Sequence, residues 1–355
     1  MVANNMLAEI RKAVEESTTK LLQLSPPPIR YYLLTDVIGR DEKDPIVGAV
    51  VRRVAEYPPK VRLMNSLRED GTWPISRTRS IEESRGPGPP VGWTFETMLQ
   101  NLYTLGDYVT RKDEGRVPAA LERILGWIGD DGYILGPKTA AFPMPHYNGF
   151  ALRNLLQFDM DDDPRTKRLA SWLLSAQRED GGWNIPYIQD VRYLPAYKYM
   201  KASAFWNLVE SDDRPPYDPS EHQEVPSCIW TTMMVVRSFS WSDSLAFTKA
   251  AKRGADFFLD RFFHKNHHSS FYRSEYNWTT LKYPTSQGSG LTALDILTYM
   301  KYGPEDERME EPIRWLLGCR SKDGLWHRSK RPHPEKDLWI TETAISILRR
   351  YADMH

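Results

Sequence analysis

The stretch Ala176-Gln-Arg-Glu-Asp-Gly-Gly-Trp183 decides the fold, because it is one member of an internal repeat. Residues 66–73 and 319–326 share its Asp-Gly-x-Trp ending, and residues 127–133 form a weaker copy. Each copy follows a segment in which apolar residues have helical spacing. Glycine accepts the left-handed conformation that ends a helix, and aspartate can bond the freed backbone groups. The repeat therefore predicts a series of helices that end in one recurrent turn.

Two kinds of predicted helix alternate along the chain. The outer ones are amphipathic, whereas the inner ones are more apolar and begin near proline, glycine, serine or aspartate, which favour helix starts. The outer predictions are residues 6–24, 44–67, 116–128, 164–176, 242–263 and 305–319. The inner predictions are residues 30–38, 94–105, 147–157, 229–239, 291–299 and 340–351. Strand patterns are scarce, so we predict an all-α (α/α)6 toroid with six inner and six outer helices.

The pattern predicts one domain that spans residues 1–355, with two interruptions. Residues 77–90 are polar and rich in proline and glycine, which predicts a surface loop. The insertion at about residues 185–226 contains many tyrosines and is much longer than an ordinary connection. Long insertions in compact folds often carry binding function.

The composition excludes several classes of protein. Basic and acidic residues both number 47, so the zero net charge argues against general nucleic-acid binding. No apolar run approaches the roughly 18 residues of a membrane span, and the N-terminus lacks the apolar region of a secretory signal. The two cysteines, Cys228 and Cys319, cannot build a disulfide framework. We therefore expect a cytoplasmic protein, and its oligomeric state is left open.

The Asp-Gly-x-Trp turns resemble the QW-type repeats of terpenoid cyclases and protein prenyltransferases, and residues 177–183 match the motif best. The resemblance covers nearly the whole chain. Residues 25–39, 226–263 and 339–350 are similar to a single-domain squalene-cyclase-like subgroup. This resemblance implies an α/α toroid and isoprenoid chemistry in its cavity. Since one fold hosts many activities, each chemical motif of the family needs a separate test.

Asp159-Met-Asp-Asp162 spells the D-x-D-D motif with which class II cyclases protonate an isoprenoid. In those enzymes the motif opens an inner helix. Here it follows the inner helix that ends in Leu155-Leu-Gln-Phe158, and Asp163 and Pro164 then form an ordinary helix start. We therefore predict that these carboxylates are exposed to solvent and far from the cavity.

The sequence also predicts neither a bound metal nor a cofactor. The resemblance to protein prenyltransferases places Cys228 at a zinc-ligand position, but Pro226 and Ile340 stand where an aspartate and a histidine are needed. Zinc requires three or four ligands. His267 and His268 have no third ligand at a suitable spacing. No phosphate-binding loop or dinucleotide motif is present in the sequence.

Polar and aromatic residues gather at the predicted starts of inner helices, or continue from them three or four positions apart on one face. Apolar surroundings would not tolerate unpaired buried charges, so these groups are predicted to face a lumen or one another. The candidate catalytic residues are Glu96, Glu342 and His146. The candidate substrate-binding residues are Trp93, Tyr147, Asn148, Arg153, Cys228, Trp230, Gln287, Asp295 and Trp339.

Three functions fit such a cavity. In an isoprenoid-type enzyme, Glu96 or Glu342 starts the reaction as an acid whose pKa is raised by desolvation, and aromatic rings stabilise cations. Its partner is then an amphiphilic, prenyl-like small molecule, with a polar head near the helix N-termini. The alternatives are a non-catalytic lipid or peptide binder, with the insertion as a lid, and a carbohydrate lyase or hydrolase that uses paired carboxylates.

Several of these candidate residues can have a structural role in place of a catalytic or binding one. Arg153 lies late in its helix, where a cation favours the C-terminal dipole and can reach solvent. Glu342 can cap its helix or pair with an arginine. His146 can be a hydrogen-bonded residue at the rim rather than a base.

Overall fold

A computed structural model describes residues 2–75, 93–136, 141–265, 276–285, 288–331 and 333–354. Within these ranges the chain forms sixteen α-helices and no β-strand. The helices are α1 Val2–Leu24, α2 Pro27–Tyr32, α3 Pro45–Ala55, α4 Pro58–Ser66, α5 Trp93–Asp107, α6 Val117–Gly126, α7 Pro145–Gln157, α8 Pro164–Ser175, α9 Ala202–Val209, α10 Ile229–Phe239, α11 Asp243–Ala246, α12 Lys249–Leu259, α13 Tyr276–Thr279, α14 Gly290–Tyr299, α15 Glu310–Gly318 and α16 Pro334–Asp353. A π-helical turn at Leu33–Val37 extends α2, and short 3₁₀ turns lie at Val191–Tyr193, Pro219–His222 and Glu307–Met309.

The predicted inner helices all form: they are α2 with its π turn, α5, α7, α10, α14 and α16. α16 begins at Pro334, six residues before the predicted start, because proline is well accommodated in the first turn of a helix. The outer helix predicted at residues 44–67 is wrong as a single helix, because the structure has two helices there. Pro58 and Pro59 lack the N–H that a helix interior needs, so α3 ends and α4 begins there. The outer prediction at 242–263 is likewise divided, into α11 and α12.

The recurrent turn is the same in all three full copies. Each tryptophan donates its indole N–H to a leucine carbonyl ten residues earlier, near the end of the preceding helix. These bonds run from Trp73 to Leu63 at 3.0 Å, from Trp183 to Leu173 at 2.8 Å and from Trp326 to Leu316 at 2.7 Å. The indole ring thus closes each turn against the helix that it ends.

Glycine is required in these turns for two reasons. The turn glycines have φ between 78° and 91°, and the weaker copy shares this conformation at Gly132. A Cβ atom at Gly71 would lie 2.5 Å from the Ala119 carbonyl oxygen in α6, and one at Gly181 would lie 2.9 Å from the Arg253 carbonyl oxygen in α12. The turns at Gly71 and Gly181 therefore pack directly onto the backbone of the next outer helix.

The chain divides into two compact units. Unit 1 comprises Met1–Val61, Asp107–Val109 and Phe258–His355, and unit 2 comprises Arg62–Gly106 and Thr110–Phe257. In unit 1, α16 packs against α1 and α14. In unit 2, α7 packs against α10 at Gly149, where a Cβ atom would lie 3.1 Å from the Met234 carbonyl oxygen.

Three other expectations concern the surface and the connections. The assignment of residues 1–355 to one domain stays a prediction, and the expected loop at 77–90 lies outside the described residues. The insertion at 185–226 contains α9, which the sequence patterns did not predict. Among the described residues, no helix has both the length and the apolar character needed to cross a bilayer.

Candidate functional site

The predicted site residues fall into two groups, one in each unit. The unit 2 group contains Glu96, His146, Tyr147, Asn148, Arg153, Cys228 and Trp230. The unit 1 group contains Asp295, Trp339 and Glu342. Gln287 lies outside the described residues, and Trp93 begins α5 with its side chain outside the described part.

Glu342 is a buried carboxyl group in the middle of α16. Only 7% of its surface is exposed. The Ser346 hydroxyl, one turn later on the same helix, donates a hydrogen bond to its Oε1 at 2.9 Å, and the Thr343 hydroxyl lies 3.5 Å from its Oε2. The carboxyl group is thus held by neutral hydroxyl groups of its own helix.

The charges around Glu342 favour its neutral form. Burial raises the pKa of Glu342 to about 8, and the negative charges of Asp36 and Asp295 act in the same direction, against the Ser346 hydrogen bond and the Arg350 charge. Arg350 forms an ion pair with Asp295 of α14. Since the nearby cation is engaged by another carboxylate, Glu342 keeps its proton at neutral pH.

Aromatic rings lie one turn before Glu342 on α16. Trp339 is 4% exposed and stacks on Tyr283, with the ring centroids 5.0 Å apart and the planes parallel to within 1°. Tyr32 from α2 adds a tilted ring at 5.9 Å. The Tyr283 hydroxyl donates to Asp107 Oδ2 at 2.7 Å, which fixes that ring. A neutral acid on α16 and a stacked pair of rings one turn away can donate a proton and stabilise positive charge.

The second candidate acid, Glu96, has a different environment. It lies in the first turn of α5 and accepts a hydrogen bond from the Tyr147 hydroxyl of α7 at 2.5 Å. Burial, together with the charge of Glu96 and this hydrogen bond, raises the pKa of Tyr147 above its ordinary value. Tyr147 therefore stays a phenol that donates to Glu96.

Beside Tyr147, unit 2 contains a pocket of about 680 Å³, which we call the ring pocket. Its lining residues are Met144, His146, Tyr147, Ile185, Ile188, Trp206, Asn207, Glu210 and Trp230. The His146 ring centroid lies 4.2 Å from that of Tyr147 and 4.7 Å from that of Trp230. The start of α7, the start of α10 and the insertion thus meet in one place.

The insertion contributes more to this pocket than the sequence patterns indicated. The prediction that it carries binding residues named none of them, yet five of the nine lining residues belong to it. Trp206 lies on α9, and its ring stacks against Phe142 with the centroids 6.1 Å apart. A short amphipathic segment with two adjacent rings, Phe205 and Trp206, is the signal that could have indicated α9.

Three predicted binding residues have structural surroundings instead. Asn148 is fully buried, and its side chain bonds the backbone N–H and carbonyl of Ile134 and the carbonyl of Met144. Cys228 is fully buried at the N-cap of α10. None of the three, Arg153 included, lines the ring pocket.

The alternative placement of Arg153 in solvent is wrong. Arg153 is 2% exposed, and its guanidinium carbon lies 3.5 Å from the ring centroid of Tyr103 and 4.5 Å from that of Trp241. Its Nη1 also donates to the side chains of Asn154 and Gln157. The guanidinium group of Arg153 is therefore stabilised by cation–π contacts, and not by the water that we expected it to reach near the end of its helix.

The D-x-D-D lookalike is exposed, as predicted. Asp159, Asp161 and Asp162 are all exposed between α7 and α8. Asp163 caps α8 by accepting from the Arg165 backbone N–H at 2.8 Å. The segment is therefore a helix connection of the kind that the sequence context indicated.

The described residues contain no group of three or more histidine, cysteine, aspartate or glutamate side chains able to hold a metal ion. His267 and His268 lie outside them.

Comparison with known proteins gives structural likenesses only: no protein-family model and no curated protein matches this sequence. A variant of the type II terpene cyclase MstE from Scytonema, in complex with its substrate geranylgeranyl dihydroxybenzoate, is 12% identical with a TM-score of 0.51. That match covers 99% of this chain and 100% of the cyclase chain. A protein from Actinoplanes is 14% identical with a TM-score of 0.47, over 97% of this chain and 99% of the other.

The likeness to the cyclase shows the fold. The chain is an all-α protein that resembles a terpene cyclase, which confirms the predicted fold class and is consistent with an α/α toroid.

Proposed function

We propose that this chain is a terpene-cyclase-like enzyme in which Glu342 is the acid that starts a cationic reaction of a prenyl-bearing amphiphile. The observation that carries the proposal is the buried Glu342 carboxyl group, which has a pKa of about 8. A carboxyl group that stays protonated at neutral pH keeps a proton to donate, as a general acid must.

The surroundings of Glu342 support the role of proton donor over that of an ion-pair partner. Arg350 pairs with Asp295, and Ser346 and Thr343 are the hydroxyl groups at the Glu342 oxygens. A carboxylate that served only to balance Arg350 would accept that pair itself. The stacked rings of Trp339 and Tyr283 supply the π faces that stabilise a carbocation.

The proposed reaction balances without a co-reactant. The Glu342 carboxyl proton adds to one carbon of a terminal alkene, and the other carbon becomes cationic. A second double bond gives its π electrons to that centre and closes a ring, and a proton is finally lost. The product is an isomer of the substrate, and solvent returns a proton to Glu342.

The ligand class comes from two observations. The structural neighbour MstE binds geranylgeranyl dihydroxybenzoate as its substrate, which combines a polyene chain with a polar aromatic head. The aromatic rings beside Glu342 suit the polyene portion of such a molecule.

The test is conversion of prenyl probes in D₂O. Geranylgeranyl dihydroxybenzoate, geranylgeraniol and a soluble oligosaccharide are incubated with the wild type and with Glu342→Gln, Glu96→Gln and Asp161→Asn. We expect an isomeric product that contains one solvent deuterium, and a rate at least 100-fold lower in Glu342→Gln alone. Glutamine keeps the size of the side chain but has no acidic proton.

Other outcomes separate the alternative functions. Cleavage of the oligosaccharide without conversion of a prenyl probe would overturn the proposal in favour of a carbohydrate enzyme. Saturable prenyl binding without turnover, unchanged by Glu342→Gln, indicates a non-catalytic binder. Equal losses in Glu96→Gln and Glu342→Gln would contradict the assignment of Glu342 as the single acid.

A further inference from the structure

We propose that the ring pocket of unit 2 is a binding site for an organic cation on an apolar stem, such as a protonated or quaternary amine. None of the residues assigned to the Glu342 reaction lines it.

Aromatic faces are the first reason. His146, Tyr147, Trp206 and Trp230 all line the pocket, which makes four rings in a cavity of about 680 Å³. The His146 ring contacts both the Tyr147 ring and the Trp230 ring at the starts of α7 and α10. Phe142 stacks behind Trp206, with an interplanar angle of 13°, and holds the fourth. The negative faces of such rings attract ammonium groups, most strongly quaternary ones.

The charge of the lining is the second reason. Among the nine lining residues Glu210 is acidic, whereas none is lysine or arginine. The Tyr147 hydroxyl donates a hydrogen bond to Glu96, which places a second acidic side chain beside a ring of the lining. Both features favour a positive ligand over a phosphate or a carboxylate.

An anionic form of the polar head group that we expect near the helix N-termini has less support in this pocket. The first turns of α7 and α10 present a positive dipole end, which favours anions. However, Pro145 opens α7 and has no N–H to donate. The aromatic and acidic side chains of the lining favour a cation, and we give them more weight than the preference of the helix N-termini for an anion.

The apolar stem follows from the remaining lining. Met144, Ile185 and Ile188 form an apolar wall, and the volume lies within the range typical of small-molecule sites. A small hydrophilic cation such as tetramethylammonium would leave this wall in contact with water. An alkyl chain attached to the cation covers it.

The experiment measures the affinity of three probes that share one chain: decyltrimethylammonium, decanol and decyl phosphate. The two ionic probes are titrated calorimetrically below their micelle concentrations, and decanol below its solubility limit. Each is titrated against the wild type, Trp206→Leu, Glu210→Gln and Tyr199→Leu. Tyr199 is the matched control, because it belongs to the same insertion, is 87% exposed and does not line the pocket.

We expect the wild type to bind the ammonium probe about 10-fold more tightly than decanol, and decyl phosphate most weakly. Trp206→Leu should remove most of this preference. Glu210→Gln should weaken the ammonium probe about 3-fold and leave decanol unchanged. Tyr199→Leu should behave as the wild type.

Several results would overturn the proposal. These are tightest binding of decyl phosphate, equal binding of all three probes, or an unchanged preference in a folded Trp206→Leu. Should Trp206→Leu fail to fold, Glu210→Gln decides the matter, since Glu210 is exposed and its neutral replacement is isosteric. Loss of turnover in Glu342→Gln with intact ammonium binding would support the two sites independently.

Discussion

Glu342 in unit 1 and Glu96 in unit 2 are the same side chain on two inner helices, and their surroundings give them opposite proton arrangements. Glu96 accepts a short hydrogen bond from Tyr147, and the raised pKa belongs to the tyrosine. Glu342 is bonded by hydroxyl groups near two other carboxylates, and its own pKa is raised. Burial is the first cause of the raised pKa of Glu342, and the carboxylates of Asp36 and Asp295 add to it, whereas Glu96 is only partly buried.

The largest expected effect on stability comes from Glu342→Gln. The ordinary pKa of 4.5 rises to about 8 in the folded chain, so the folded state holds this proton to a higher pH than the unfolded state. The wild type should therefore lose roughly 4 kcal/mol of unfolding free energy between pH 4.5 and pH 8. Glutamine does not titrate and should not show this loss.

Urea unfolding at pH 5, 6.5 and 8 measures this contrast. The quantity to compare is the wild-type value minus the Glu342→Gln value at each pH, because the titration of all other groups then cancels. A difference that stays constant with pH would break the comparison, because Glu342 would then have the same pKa in the folded and the unfolded chain.

Tyr147→Phe tests the other glutamate. The substitution removes the hydroxyl donor to Glu96 and should cost about 1–2 kcal/mol, because a carboxylate loses a charged hydrogen bond. Thermal unfolding at neutral pH measures the loss, and the exposed Tyr199→Phe is the control. An unchanged stability would mean that Glu96 does not depend on Tyr147.

Ser346→Ala has a smaller effect of a different kind. Its hydrogen bond to Glu342 lowers the pKa of that carboxyl, so the loss of the hydroxyl should move the pKa further upward. We expect about 1 kcal/mol of destabilisation and a later midpoint in the pH profile of unfolding. Ser175→Ala, whose exposed hydroxyl bonds the Trp172 carbonyl, should shift no midpoint.

The sequence revealed the parts of the molecule that depend on local patterns. The Asp-Gly-x-Trp copies and the alternation of apolar stretches located the inner helices, since both signals lie within one turn or one helix. Glu342 was a candidate from the sequence because a carboxyl group in an apolar helix needs a partner or a polar surrounding.

The features that the sequence did not predict depend on contacts between residues far apart in the chain. Tyr283 lies outside every predicted helix and joins the site by stacking on Trp339. Asp36 acts on Glu342 from the π turn after α2, and Trp206 reaches the ring pocket from a helix that local periodicity did not reveal. Arg153 was misplaced because its ring partners, Tyr103 and Trp241, are about 50 and 90 residues away in the chain.

The smallest effect on stability is expected around the D-x-D-D segment, where two neighbouring aspartates have different structural roles. Asp161 belongs to the D-x-D-D segment and Asp163 directly follows that segment, yet only Asp163 accepts the backbone N–H that begins α8. Asp163→Ala should therefore cost about 1 kcal/mol through the lost cap. Asp161→Ala, at an exposed position, should stay within about 0.5 kcal/mol of the wild type and retain full conversion of the prenyl probes. Chemical unfolding and the D₂O assay together measure both variants. A folded Asp161→Ala that loses conversion would transfer the acid from Glu342 to this segment, because only a proton donor can matter so much while contributing so little to stability.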